Sequence, residues 1–224
     1  MKHTTVAIFG ASGLTGSKLL QRLLSDPNTN HITAFVRQKL PVSPAKLTQL
    51  ITDFNDTSEL HKALNDIDCV YCCLGSTLKQ AGSKRQFYHI DVTLISDIAK
   101  QCEQANVGHF VVISSIGAKP NGRSFYTRCK GQMETAVSNT QLQNVTIVRP
   151  SLLIGERAQF RLAESIGITV NRYFGGLFGS TLKKYQPIDA EDLAKAMHRI
   201  GAEDNQSKRR IIENDTLHDI ANAT

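Results

Sequence analysis

Val6-Ala7-Ile8-Phe9-Gly10-Ala11-Ser12-Gly13-Leu14-Thr15-Gly16 is a short apolar run that ends in glycines spaced G-x-x-G-x-x-G. A helical pattern begins at once, so the segment reads as a strand, a tight turn and a helix start. A helix N-terminus presents unpaired backbone N–H groups and the positive end of its dipole, and it attracts phosphate. Gly10 permits the sharp turn, Gly13 lets the backbone approach a pyrophosphate, and Gly16 lets helix and strand pack closely. Ordinary turns are also rich in glycine. Here the triplet follows the first strand of the chain and opens a helix, which is the context dinucleotide binding requires.

Working outward, strand and helix patterns alternate. Apolar runs at Thr5–Phe9, Ile32–Val36, Gln49–Thr52, Cys69–Leu74, Phe110–Ser114 and Val145–Val148 read as strands buried on both faces. Helical patterns lie between them at Leu14–Ser25, Thr57–Leu64, Phe87–Ala105 and Phe125–Val137. Such alternation predicts an α/β fold, a doubly wound and mostly parallel Rossmann sheet. Beyond Arg149-Pro150 the regularity fades. A helix near Arg157–Ile166, a glycine-rich aromatic patch at Tyr173–Gly179 and a short strand before Pro187 are expected there. A helix at Glu191–Ile200 and a small terminal strand and helix follow. The chain is read as one NAD(P)-binding domain over residues 1–224, with a small C-terminal substrate lobe over roughly 151–224 that caps the carboxyl edge of the sheet.

The composition, 41% hydrophobic and 21% charged in 224 residues, is that of a globular protein able to bury a core without staples. No apolar stretch approaches the ~20 residues of a membrane span, and Val6–Phe9 is too short for a secretory leader. A cytoplasmic location is the expected default. The net charge of +6 comes with no compact basic stripe, so no nucleic-acid partner is expected, and a positive field suits a phosphorylated cofactor. Cys69 and Cys72 have C-x-x-C spacing, but they fall within an apolar strand and no second ligand pair matches them. They read as core residues, with no metal site.

Tyr126-Thr127-Arg128-Cys129-Lys130 puts a phenol and an ammonium on one helical face. The ammonium favours release of the phenolic proton, so the pair can exchange a proton with a carbonyl or alcohol oxygen. The pair follows a strand ending in Ser114-Ser115, where a hydroxyl can hold the reacting oxygen. At the end of the second strand, where a carboxylate would hold the ribose of NAD, the chain has Arg37-Gln38-Lys39. The Arg37 guanidinium fits a 2′-phosphate, so NADP(H) is expected over NAD.

Gly10–Gly16, Cys72-Cys73-Leu74-Gly75-Ser76-Thr77, Ser114-Ser115-Ile116-Gly117-Ala118, Tyr126–Gly131 and Val148-Arg149-Pro150 together resemble the short-chain dehydrogenase/reductase superfamily in its atypical branch. Closer still, they resemble the Tat-interacting-protein-type NADP-binding oxidoreductases and their bacterial relatives. That resemblance implies Tyr126 as general acid/base, Lys130 as the residue that holds the nicotinamide ribose, and Ser115, in preference to Ser114, as the residue that orients the carbonyl. It further implies that Ser12, Gly13, Leu14 and Thr15 line the phosphate turn. Asp53 and Phe54 fall at the adenine, Leu74 and Gly75 at the strand end beside the ribose, and Leu153 and Arg161 at further cofactor contacts. The family often has an asparagine that completes a proton relay; Asp91 stands at that position here. The implied function is an NADPH-dependent reductase of small carbonyl compounds, for which homo-oligomers are compatible. The alternative is an NADPH-binding regulator or redox sensor with little turnover.

Overall fold

A computed structural model describes residues 4–54, 57–155, 180–203 and 208–223. The opening strand β1 (Thr4–Phe9) leads into helix α1 (Leu14–Ser25), then β2 (Thr29–Val36), β3 (Leu47–Ile51), α2 (Thr57–Ala63) and β4 (Cys69–Cys72). Two short helices, α3 (Leu78–Ala81) and α4 (Lys84–Tyr88), precede a π-helical turn over His89–Leu94 and helix α5 (Ile95–Gln104). Next come β5 (His109–Ile113), α6 (Phe125–Ser138), β6 (Asn144–Arg149) and the two-residue β7 (Leu153–Ile154). A 3-10 turn at Ser180–Tyr185, β8 (Ile188–Asp189), α7 (Ala190–Ala202), β9 (Arg209–Glu213) and α8 (Asn214–Asn222) complete the order.

Seven strands form one sheet in the order β3-β2-β1-β4-β5-β6-β9, and β7 pairs with β8 in a second, small sheet. Every pairing among the described residues is parallel. The chain reverses direction across the sheet between β1 and β4, and in a doubly wound sheet the ligand crevice opens at that switch point. This is the Rossmann-like α/β architecture expected from the alternating pattern.

Helices cover both faces. On one side Val6, Ile8 and Tyr71 of the strands pack with Leu19, Leu20 and Leu23 of α1, Leu193 and Met197 of α7 and Leu217 of α8. On the other, Ala7, Phe9, Val70 and Val112 pack with Ile95 and Ile98 of α5 and Met133 and Val137 of α6. Side chains alternate across a strand, which is why neighbours in β1 and β4 divide between the two cores.

Several boundaries differ from the sequence expectation. The third strand begins at Leu47, which is buried and pairs with Ile32, rather than at Gln49. The helix expected to run unbroken over Phe87–Ala105 is interrupted by the π-helical turn, whose wider spacing carries Asp91 and Val92 inward. The short strand lies after Pro187, not before it. Proline has no N–H to give, and it is Ile188 whose N–H reaches the Leu152 carbonyl at 2.9 Å. Within the small C-terminal lobe, α7 and α8 pack into the first core and β9 is the seventh strand of the main sheet. The helix expected near Arg157–Ile166 and the patch at Tyr173–Gly179 lie outside the described residues.

Candidate active site and dinucleotide cleft

The glycine turn is built backbone against backbone. Gly10 has φ +79, and a Cβ there would come within 2.7 Å of the Cys73 carbonyl oxygen. The Gly13 N–H donates to the Gly10 carbonyl at 2.9 Å. A Cβ on Gly16 would fall 2.1 Å from that same carbonyl oxygen, so only glycine lets α1 begin this close to β1. Gly13 caps α1, no side chain caps the first turn, and no acid lies within it. A helix end left in that state suits an anion.

From this turn a cavity of about 630 Å³ runs along the carboxyl ends of the strands, within the range of cofactor sites. Gly10, Ser12, Gly13, Leu14 and Thr15 line one part of it, and Arg37, Asp53 and Phe54 another. Leu74, Gly75 and Leu153 line its middle, and Ser115, Tyr126 and Lys130 its far end. Gly16 does not line the cavity; its place is the helix–strand contact beneath it. Arg161 lies outside the described residues.

At the Arg37 end, Phe35 stacks on Phe9 with ring centroids 4.4 Å apart, and Phe54 tilts against Phe9 at 6.1 Å. Phe54 has φ +66, a left-handed conformation that costs a bulky residue roughly 1–3 kcal/mol and persists only where its surroundings enforce it. The Thr52 hydroxyl accepts its N–H at 2.9 Å. The exposed Arg37 follows directly on β2.

At the far end, α6 begins at Phe125 because the Ser124 hydroxyl accepts the Thr127 N–H. Tyr126 packs against the buried ring of Phe87 at 5.9 Å, which steadies the phenol at the cavity wall. One turn on, Lys130 is buried and its Nζ lies 2.8 Å from Asp91 Oδ1. Burial opposes the charge on Lys130, but Asp91 and then Tyr126 outweigh it and hold its pKa above the ordinary lysine value.

The two serines differ. Ser114 Oγ donates to Glu134 Oε1 at 2.5 Å. Glu134 in turn accepts from Arg149 Nε at 2.9 Å and Nη2 at 2.6 Å, so Ser114 is locked into a buried network. Among the described residues Ser115 Oγ reaches only the Ile116 carbonyl, at 3.2 Å, a long contact for a hydroxyl donor. Its proton is the one that can turn to a ligand.

Sequence reasoning missed the polar wall formed by Ser76, Thr77, Gln80, Gln86 and His89, all of which line the cavity. His89 is exposed on the π-helical turn and lines the cleft as well. The available signal was a run of polar side chains directly after β4, at the strand end where such crevices open.

Cys69 and Cys72 sit on β4 with their side chains in opposite cores, so their C-x-x-C spacing cannot converge on one ion. Burial pushes both thiols up to about 12. Replacing both by alanine is expected to cost about 1 kcal/mol each in denaturant unfolding. Elemental analysis should show no metal change; zinc bound to the unmodified protein and lost from the variant would overturn this assignment.

A family model of NAD(P)H-binding proteins matches residues 10–172. The protein named fmp52, mitochondrial, of Emericella nidulans is 31% identical over 205 residues, covering 88% of this chain and 86% of its own length. Protein HTATIP2 of Rattus norvegicus is 26% identical over 220 residues, covering 97% of this chain and 89% of its own. The resemblance to the Tat-interacting-protein type is thereby borne out. Among solved structures, MoeE5 in complex with UDP-glucose and NAD superposes with a TM-score of 0.70 at 18% identity, over 97% of this chain and 80% of its own. A UDP-glucuronic acid 4-epimerase from Bacillus cereus, in complex with UDP-glucuronic acid and NAD, gives 0.70 at 17% identity, over 93% and 76%. At such identities the likeness speaks for the fold alone. The expected cytoplasmic location is corrected: relatives from Emericella nidulans, Eremothecium gossypii, Aspergillus niger and Coccidioides immitis are named mitochondrial, and the default is withdrawn.

Proposed function

The chain belongs to the NAD(P)H-binding family, and from that premise we propose that it is an NADPH-dependent reductase of small carbonyl compounds. One observation carries the reading. A single cavity joins the uncapped, acid-free start of α1 to Tyr126, Lys130 and Ser115. The donor set fits the cofactor: backbone amides and glycines for the pyrophosphate, Phe54 and Asp53 for the adenine, and Lys130 for the nicotinamide ribose.

When bound, a reduced nicotinamide supplies the hydride that converts a carbonyl carbon to an alcohol carbon. The residues of the chain do the rest. Ser115 donates a hydrogen bond to the carbonyl oxygen and holds it beside Tyr126. Tyr126 gives that oxygen its phenolic proton as negative charge develops. Lys130 stabilises the phenolate left behind, which recovers a proton from solvent. The test is a panel of aldehydes and ketones scored by loss of NADPH absorbance. Turnover on some member is expected; tight NADPH binding with no turnover on any would favour a regulator or sensor instead.

The choice of NADPH over NADH rests on Arg37, the basic side chain lining the cavity at the end of β2. A charge-assisted hydrogen bond to a 2′-phosphate contributes roughly 1.5–3 kcal/mol, so Arg37→Ala is expected to weaken NADPH binding by about one to two orders of magnitude. NADH affinity should hardly change. Lys39, exposed nearby, can share the phosphate, so the double variant is the stricter test. Equal affinities of the unmodified protein for the two nucleotides in titration calorimetry would sink the assignment.

A further inference from the structure

Asp91 is fully buried and lies on the π-helical turn between α4 and α5, at the position where the family resemblance leads one to expect an asparagine. Its two oxygens have separate tasks. Oδ1 lies 2.8 Å from Lys130 Nζ, and Oδ2 accepts the Ser76 N–H at 2.8 Å. Ser76 belongs to the loop after β4, so one carboxylate links that loop to α6. Gly75 closes over the pair: a Cβ there would meet Asp91 Oδ1 at 3.5 Å and Lys130 Nζ at 3.7 Å. Small size at residue 75 therefore leaves the ion pair at the cavity wall rather than behind a side chain.

Neither charge is tenable alone at this depth, because an unpaired buried ion is costly. An asparagine could accept the Ser76 N–H but could not balance the lysine. The groups facing Lys130 are Asp91 from the π-helical turn, Cys72 from β4 and Tyr126 from α6, with Cys129 beside it on the same helix and His89 at the cleft. Burial pushes the Cys72 thiol up to about 12, which leaves Asp91 as the anion of this group.

We propose that Asp91 is a positioning residue: it fixes the Lys130 ammonium against the Ser76 loop and keeps it charged for its task beside Tyr126. The proposal rests on the reading of Tyr126 and Lys130 as the reacting pair. Asp91 thus replaces a water-relay amide with a counterion.

The decisive test begins on the protein without nucleotide. With Asp91 in place the folded-state pKa of Lys130 exceeds its ordinary value of 10.5, so the stabilisation is complete below that pH and is lost only as pH rises through the higher folded-state value. In Asp91→Asn, burial, the largest influence on this lysine, is no longer offset by a carboxylate; its folded-state pKa falls below the ordinary value, and stability is regained as pH rises. The gap in melting temperature between wild type and variant is therefore expected to be widest near about pH 7 and to narrow toward about pH 11. Asp91→Glu should narrow the gap. A gap that is absent, or that stays constant with pH, would overturn the proposal. If Asp91→Asn fails to fold, adding Lys130→Met should restore folding by removing the orphaned charge; failure of the double variant too would mean that Asp91 serves packing only.

The second arm is the pH profile of turnover with NADPH, whose alkaline limb should move down by about one to three units in Asp91→Asn. An unmoved limb would count against the proposal. Should Tyr126→Phe retain full turnover, the assignment of Tyr126 as proton donor fails, while the melting series still decides whether Asp91 holds the lysine.

Discussion

Tyr126→Phe is expected to lower turnover on a verified carbonyl substrate by about 10²–10⁴-fold, the loss typical of a missing general acid. The ring remains, so its packing against Phe87 at 5.9 Å should persist and the fold should be unaltered. Lys130 also keeps its partner, since Asp91 rather than Tyr126 sits at 2.8 Å from its Nζ. NADPH affinity, measured by calorimetry, should therefore change by much less than turnover. A variant with wild-type turnover would show that the proton comes from elsewhere. Lys130→Met should differ in kind by lowering both turnover and cofactor affinity, because that side chain has two tasks.

The largest loss of stability is expected at a residue that does not line the cleft. Arg149, at the end of β6, grips Glu134 of α6 through two nitrogens and Glu213 at the end of β9 through a third, at 2.9 Å. Glu134 is only 8% exposed, and its remaining partner is the Ser114 hydroxyl. Arg149→Leu leaves that carboxylate buried without its cation, a change that typically costs about 3–5 kcal/mol. At about 2–4 °C per kcal/mol for a chain of this size, the melting temperature should fall by roughly 6–20 °C. Adding Glu134→Gln should recover much of the loss, because no charge then remains buried alone. A single variant within about 1 kcal/mol of wild type would show that the network contributes little.

That network also explains how two adjacent serines acquire different prospects. Both stand at the end of β5, and the sequence offered no physical ground for separating them; the preference for Ser115 came from resemblance. The structure supplies the ground. Both line the cavity, but Ser114 is committed to Glu134, while Ser115 is left with a long contact to the Ile116 carbonyl.

The glycine turn, the alternation of elements and the Tyr126–Lys130 spacing were legible from sequence because each depends on residues close along the chain. The positive φ of Gly10 and the contact of Gly16 with the Gly10 carbonyl lie within one strand–turn–helix unit, and a phenol and an ammonium one helical turn apart share a face whatever surrounds them. The burial of the strands was legible too, since a strand covered on both faces must be apolar throughout. What tertiary structure alone decided are partners distant in sequence: Asp91 with Lys130 and Ser76, Arg149 with Glu134 and Glu213, and β9 beside β6. No local rule assigns a counterion to Lys130. Asp91 reaches it only because the helix widens into a π-helical turn where α5 and α6 pack together, and a buried charge must be matched by whatever group that packing brings within reach.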